Sequence, residues 1–199
     1  QTVVYKAISS SYTVQGEKST TLTAERRQYT QKVQVSYQQS DGTYSAYVEE
    51  MSKLYYYGAT VTYTQPTTQE YVGKSITSYS VTGDKTTQLK VERQQYTQTV
   101  KVRYQQADGT NGSYSTKYSA KHYYGSTFTY SEAQTTVYHP ISTTYTVTKD
   151  TTTELTANRR QYKQVVQVRY QKSDGTWGSY SNELDALYYY GSTVSFSKA

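Results

Sequence analysis

The sequence contains no cysteine. Disulfide staples, thiol nucleophiles and thiolate metal sites are therefore excluded. Proline occurs only twice, at Pro66 and Pro140, and histidine only twice, at His122 and His139. No apolar run approaches the roughly 18 residues that would read as a membrane-spanning helix, so no membrane insertion is expected. The net charge of +6 is modest and spread along the chain. Nucleic-acid binding calls for a denser basic stripe, so no nucleic-acid partner is expected. The chain shows no signal peptide and begins at Gln1, which reads as a mature product or an excised fragment. Aliphatic residues are scarce: Val, Leu, Ile and Phe fill 29 positions, about 15% of the chain. With high net charge, such scarcity would mean disorder.

What replaces the aliphatics is tyrosine, present 27 times. A buried tyrosine covers on the order of 150–250 Å² and keeps a polar handle. The abundant Thr, Ser and Gln side chains can satisfy those hydroxyls. A folded chain is expected.

Self-similarity organises the whole sequence. LYYYGATVTY, KHYYGSTFTY and LYYYGSTVSF are three versions of one line. Three marker series share one period: Arg27/Gln94/Arg160 before Gln-Tyr, Asp41/Asp108/Asp174 before Gly-Thr, and Tyr57/Tyr124/Tyr190 before Gly. Each is spaced 67 and then 66 residues, and Tyr5, Tyr71 and Tyr138 follow at 66 and 67.

Within each copy the period is two. Tyr29, Gln31, Val33, Val35 and Tyr37 fall on one face of a strand, as do Val100, Val102 and Tyr104, and Val166, Val168 and Tyr170. The Asp-Gly-Thr stretches read as hairpin turns with glycine at positive φ. TTLTAERR, TQLKVERQ and TELTANRR read as further strands with Leu22/Ala24, Leu89/Val91 and Leu155/Ala157 facing inward, and SSYTV, TSYSV and TTYTV as others. SAYVEEMSKLYY and SNELDALYYY are the best helix candidates; their counterpart STKYSAKHYY reads as a strand or irregular segment. The expectation is an all-β chain of three tandem small antiparallel modules, β-sandwich or β-grasp-like, forming an elongated rod of roughly 100 Å. The module boundaries are 1–65, 66–132 and 133–199.

Val100, Val102 and Tyr104, then Asp108-Gly109, then Tyr124-Gly125-Ser126-Thr127, then the strand through Leu155 resemble the MucBP-like and Listeria–Bacteroides-type repeats of bacterial surface proteins. The resemblance implies small β-rich modules in tandem on the cell exterior, hence an extracellular stalk, adhesin or self-assembling fibre. The resemblance also implies an alternative frame, in which a module begins at the VKVRY strand: a half module at 1–28, whole ones at 29–95 and 96–161, and a half at 162–199. In that frame the two end halves are complementary, so copies of the chain could pair head to tail by strand exchange.

Chemistry-bearing constellations are sparse. Neither histidine has the i, i+4 partner of a zinc helix, and both read as structural. Glu49-Glu50 and Glu183/Asp185 occur in the first and third copies only, and nothing singles them out as a glycosidase pair. Asn111-Gly112-Ser113 matches a glycosylation triplet but reads as turn chemistry. No catalytic residue, metal site or cofactor is expected, and no enzymatic activity. A Lys–Asn crosslink in every module is excluded by the three non-equivalent asparagines; a Thr–Gln ester stays open. Contact candidates are aromatic. Tyr44, Asn111 and Trp177 are equivalent positions beside the turn, and an aromatic there reads as exposed. In Tyr55-Tyr56-Tyr57, Tyr188-Tyr189-Tyr190 and the pair Tyr123-Tyr124, alternate rings point to opposite faces. They form either core and inter-module packing or an exposed strip for a sugar ring or a partner. The alternative function is a carbohydrate-binding array on cell-surface or extracellular glycans.

Overall fold

The structure, a computed structural model, describes residues 3–198; the outermost residues of the expected frames, Gln1, Thr2 and Ala199, lie outside it. The described residues hold fourteen strands and no helix, so the fold is all-β. In chain order they are β1 Gln28–Tyr37, β2 Val48–Tyr56, β3 Thr60–Val61, β4 Thr64–Gln65, β5 Lys74–Ser75, β6 Tyr79–Ser80, β7 Lys85–Val91, β8 Gln95–Tyr104, β9 Ser115–Tyr123, β10 Thr127–Glu132, β11 Ile141–Thr146, β12 Thr151–Ala157, β13 Gln161–Val168 and β14 Ser181–Tyr189. They divide into two compact units: Gln1–Gln95 with Tyr123–Ser126, and Tyr96–His122 with Thr127–Ala199.

In the first unit β1 is the central strand. The period-two pattern puts Gln31, Val33 and Val35 on its inner face, all fully buried. On one side β2 pairs antiparallel, with Tyr29 opposite Tyr55 and Val33 opposite Met51, and a bulge follows between Val33 and Gln34. On the other side β7 pairs parallel, with Val35 opposite Leu89 and Tyr37 opposite Val91. The small ladders β3–β6 and β4–β5 close over this sheet, bringing Val61 and Val81 into the same core. Tyr29, Tyr37, Tyr55, Tyr63, Tyr71 and Tyr79 ring that core, which is how so few aliphatics suffice. Tyrosine bodies complete the apolar volume while their hydroxyls reach polar partners.

The second unit repeats the plan. β8 lies between β9 and β12, with β12 parallel to it and Leu155 opposite Val102. β10 pairs antiparallel with β11, setting Phe128 opposite Tyr145. Val100, Val102, Phe128, Val147 and Ala157 form its core. A third hairpin, β13–β14, has the bulge of β1–β2 at the equivalent place, between Val166 and Gln167.

Two sequence expectations need correction. Both helix candidates are strands, β2 and β14. Charged side chains on them ion-pair across the ladder, Lys32 Nζ with Glu49 Oε2 at 2.8 Å and Lys163 Nζ with Asp185 Oδ1 at 2.9 Å. Alongside the expected antiparallel hairpins stand two parallel pairings, β1–β7 and β8–β12, which cross positions 65/66 and 132/133. Finally, the strands expected in SSYTV and TTLTAERR are absent: residues 6–25 carry no strand, and Leu22 is exposed. The reason is steric occupancy. Both edges of β1 are taken, one by β2 and the other by β7, so the equivalent segment at 18–24 has no edge of β1 to join.

The turns are as read. In each Asp-Gly-Thr, the Thr backbone N–H and hydroxyl donate to the Asp Oδ1, at 2.9 and 2.6 Å for Thr43 on Asp41. The glycines sit at positive φ, +87° at Gly42, +86° at Gly109 and +82° at Gly175, where a side chain is strained.

Candidate interaction surface

The expected contact aromatics separate by environment. Tyr44 and Trp177 are exposed beside their turns, each bridged to the strand before the turn, at Gln38 and Gln171. Trp177 keeps 53% of its surface. The Arg169 guanidinium lies 5.0 Å from the Trp177 ring centroid and 5.1 Å from that of Tyr180. Lys90 Nζ lies 5.0 Å from the Tyr44 ring.

The tyrosine triplets alternate as a strand requires. Tyr55 packs on the core, Tyr57 meets Tyr29 with ring centroids 6.4 Å apart, and Tyr190 meets Tyr162 at 6.1 Å. Tyr188 is half-buried opposite Tyr162 on β13. The middle ring differs between copies. Tyr123 is covered by the first turn: Gln38 Nε2 donates to its hydroxyl at 3.2 Å, and a Cβ on Gly42 would lie 3.2 Å from its Cε2. Tyr189 is covered the same way by Gln105 and Gly109. Tyr56, the first-copy equivalent, stays 56% exposed.

An arginine clamp recurs beside these contacts. Arg93 donates through Nε to the Tyr124 carbonyl at 2.5 Å and through Nη1 to the Tyr71 hydroxyl at 3.1 Å, while its backbone N–H donates to Gln38 Oε1 at 3.1 Å. Arg159 repeats all three with Tyr190, Tyr138 and Gln105. The planar guanidinium, with several donors in fixed directions, suits this better than an ammonium. Sequence reasoning did not single out these arginines. The signal was available, since Arg26, Arg93 and Arg159 follow the repeat spacing.

The remaining polar candidates are engaged locally. His122 Nε2 lies 2.7 Å from the Tyr118 hydroxyl and its ring packs edge-on against Phe128; His139 is exposed. Glu50 accepts from the Tyr37 hydroxyl at 3.0 Å, and Glu183 pairs with Lys198 at 2.8 Å. Glu132 accepts from Tyr104 and Tyr130 at 2.8 and 2.6 Å. Burial, reinforced by the neighbouring carboxylates, pushes Tyr37 and Tyr104 each up to about 12 and raises Tyr130 as well. Among the described residues no three His, Asp or Glu side chains gather in a group able to hold a metal ion.

A groove of about 680 Å³ lies on the third hairpin, lined by Tyr162, Gln164, Tyr188, Tyr190 and Val194 among others. Gln164 is exposed there, although Gln31 and Gln98, its equivalents, are fully buried. Val166 and Val168 are only half-buried, whereas Val33, Val35, Val100 and Val102 show no exposure.

No family model matches the chain, and comparison with curated proteins finds no match.

Proposed function

We propose that this chain is a structural repeat protein that transmits tension, a segment of an extracellular stalk, adhesin or self-assembling fibre. One observation carries the reading. In each complete set of strands, at 28–91 and 95–157, the first and last long strands lie side by side and parallel, over seven aligned residue pairs each. A chain pulled at both ends of such a set drags β1 and β7 along each other in opposite directions. Every ladder bond is then loaded at once. An antiparallel hairpin such as β10–β11, pulled from its open end, loses its bonds one pair at a time. The arginine clamp repeats with the same period and joins the exit of each last strand to the next Tyr-Gly turn.

Single-molecule stretching tests this. Two abrupt rupture events are expected, each releasing about 200 Å of chain, from some 63 residues at roughly 3.3–3.6 Å each less the folded span. Smooth extension without resolved ruptures would overturn the proposal. A second reading, glycan binding, is favoured by the exposed Trp177 and Tyr44 with cations at their rings. Saturable binding of a soluble glycan, lost in Trp177→Ala and Tyr44→Ala, would establish it.

A further inference from the structure

The third hairpin and the segment before β1 each lack the partner that their repeat equivalents have. The third hairpin β13–β14 is two-stranded, whereas β1–β2 and β8–β9 each have a parallel third strand. The free edge is that of β13. By the repeat spacing, the strand that belongs there is the equivalent of β7 and β12, which is 18–24. That segment, before β1, carries no strand.

The mismatch in burial runs the same way on both sides. Val14 is 80% exposed, while its equivalents Val81 and Val147 are buried to 0% and 1%. Leu22 is 48% exposed, against 9% for Leu89. On the acceptor side, Gln31 Nε2 donates to the Gly83 carbonyl at 2.7 Å and Gln98 Nε2 to the Lys149 carbonyl at 2.9 Å. The third member of that series is Gln164 with Gly16, at opposite ends of the sequence.

A second, independent pair of orphans lies on the other face. Gly42 and Gly109 are each covered by a tyrosine ring, whereas nothing lies within 4 Å of a Cβ built on Gly175. The ring missing from Gly175 corresponds by spacing to Tyr56, the one middle tyrosine left exposed. Open edge, groove and bare glycine belong to the last hairpin; strand, apolar side chains and uncovered ring belong to the first copy.

We propose that residues 8–24 of one molecule complete the third hairpin of a second copy of this chain. Residues 18–24 add as a parallel strand along the free edge of β13, with Leu22 opposite Val168 in the register of Leu89 with Val35 and Leu155 with Val102. Residues 8–13 pair antiparallel with 193–198, Tyr12 opposite Val194, as Tyr145 pairs with Phe128. Tyr12 and Val14 then fill the groove beside Gln164, and Tyr56 caps Gly175. Backbone bonds along an open edge supply affinity, and the alternate side chains set the register. Because donor and acceptor are different surfaces, the contact is head-to-tail and propagates. This deepens the structural-repeat reading by naming a partner, a further copy of the same repeat.

The test uses the full chain, which has no cysteine of its own. A Leu22→Cys chain is mixed with a Val168→Cys chain and oxidised. The expected result is a covalent heterodimer, formed at least tenfold faster than from Leu22→Cys with Gln164→Cys, which lie four residues out of register. Sedimentation across a concentration series should show mass rising with concentration. Tyr56→Ala should weaken that association by tenfold or more with an unchanged far-ultraviolet spectrum, since the ring is exposed in the single chain. A constant monomer mass would overturn the proposal, as would equal crosslinking in and out of register. So would a crosslink found only within a single chain carrying both cysteines. Monomers that still rupture in two abrupt steps would sink this inference alone. Head-to-tail association without such ruptures would instead sink the tension reading.

Discussion

The three equivalent valines Val35, Val102 and Val168 offer an internal control, because one sequence position sits in two closed cores and one open one. Val→Ala removes two methyl groups. At about 0.8 kcal/mol per buried CH2 equivalent, the transfer loss is near 1.6 kcal/mol. Val35 and Val102 are fully enclosed by partners on both sides, so the surroundings cannot collapse and a cavity contribution brings the cost to about 2–3 kcal/mol. Val168 lies on the uncovered side of the third hairpin and is half-buried, so its truncation should cost about 1 kcal/mol or less. Urea unfolding followed by far-ultraviolet circular dichroism, at protein concentrations low enough to keep chains apart, measures all three. With a slope of about 1–2 kcal/mol/M for units of this size, the Val35→Ala and Val102→Ala midpoints should fall by roughly 1–3 M. The Val168→Ala midpoint should fall by half as much or less. A Val168→Ala cost equal to that of Val102→Ala in the dilute chain would refute the reasoning, because it would mean that β13 is already covered.

Two further outcomes follow from the same geometry. Gly109→Ala and Gly175→Ala both place a side chain at positive φ, for about 1–2 kcal/mol each, but only the Cβ at Gly109 meets a ring, at 3.0 Å from Tyr189 Cε2. Thermal or urea unfolding should therefore show Gly109→Ala as the more damaging by about 1 kcal/mol, and equal losses would discount the turn-to-ring contact. At alkaline pH, Tyr37 and Tyr104 keep their protons up to about 12 in the fold, whereas unfolded tyrosine ionises near 10. Their contribution is fully present below pH 10 and is lost as pH rises from about 10 to about 12, because there the unfolded chain binds fewer protons. The unfolding midpoint should be flat near pH 9 and fall steeply above 10, and less so in Tyr37→Phe with Tyr104→Phe; an unchanged slope in that variant would remove these hydroxyls as the cause.

Much of this was legible locally. The Val33/Val35 alternation, the Asp-Gly-Thr turns and the opposite facing of Tyr55 and Tyr56 depend only on strand period and on glycine's access to positive φ, and both are properties of a few neighbouring residues. The charged faces of β2 and β14 misled because Glu, Lys and Leu mixtures suit a helix in isolation. Their ladder with β1 and β13 decides otherwise, and that pairing is tertiary. The burial of Gln31, the arginine clamp and the covered rings of Tyr123 and Tyr189 depend on partners dozens of residues away. The contrast is sharpest for 18–24, β7 and β12. By itself, the sequence determined that these three segments are copies with the same strand-forming pattern. Only the tertiary structure decided that two of them are strands and the first is not, because a strand needs an edge to bond to. β1 offers its free edge to β7 and β8 offers its own to β12, whereas 18–24 has neither; the proposed head-to-tail contact gives it the edge of β13.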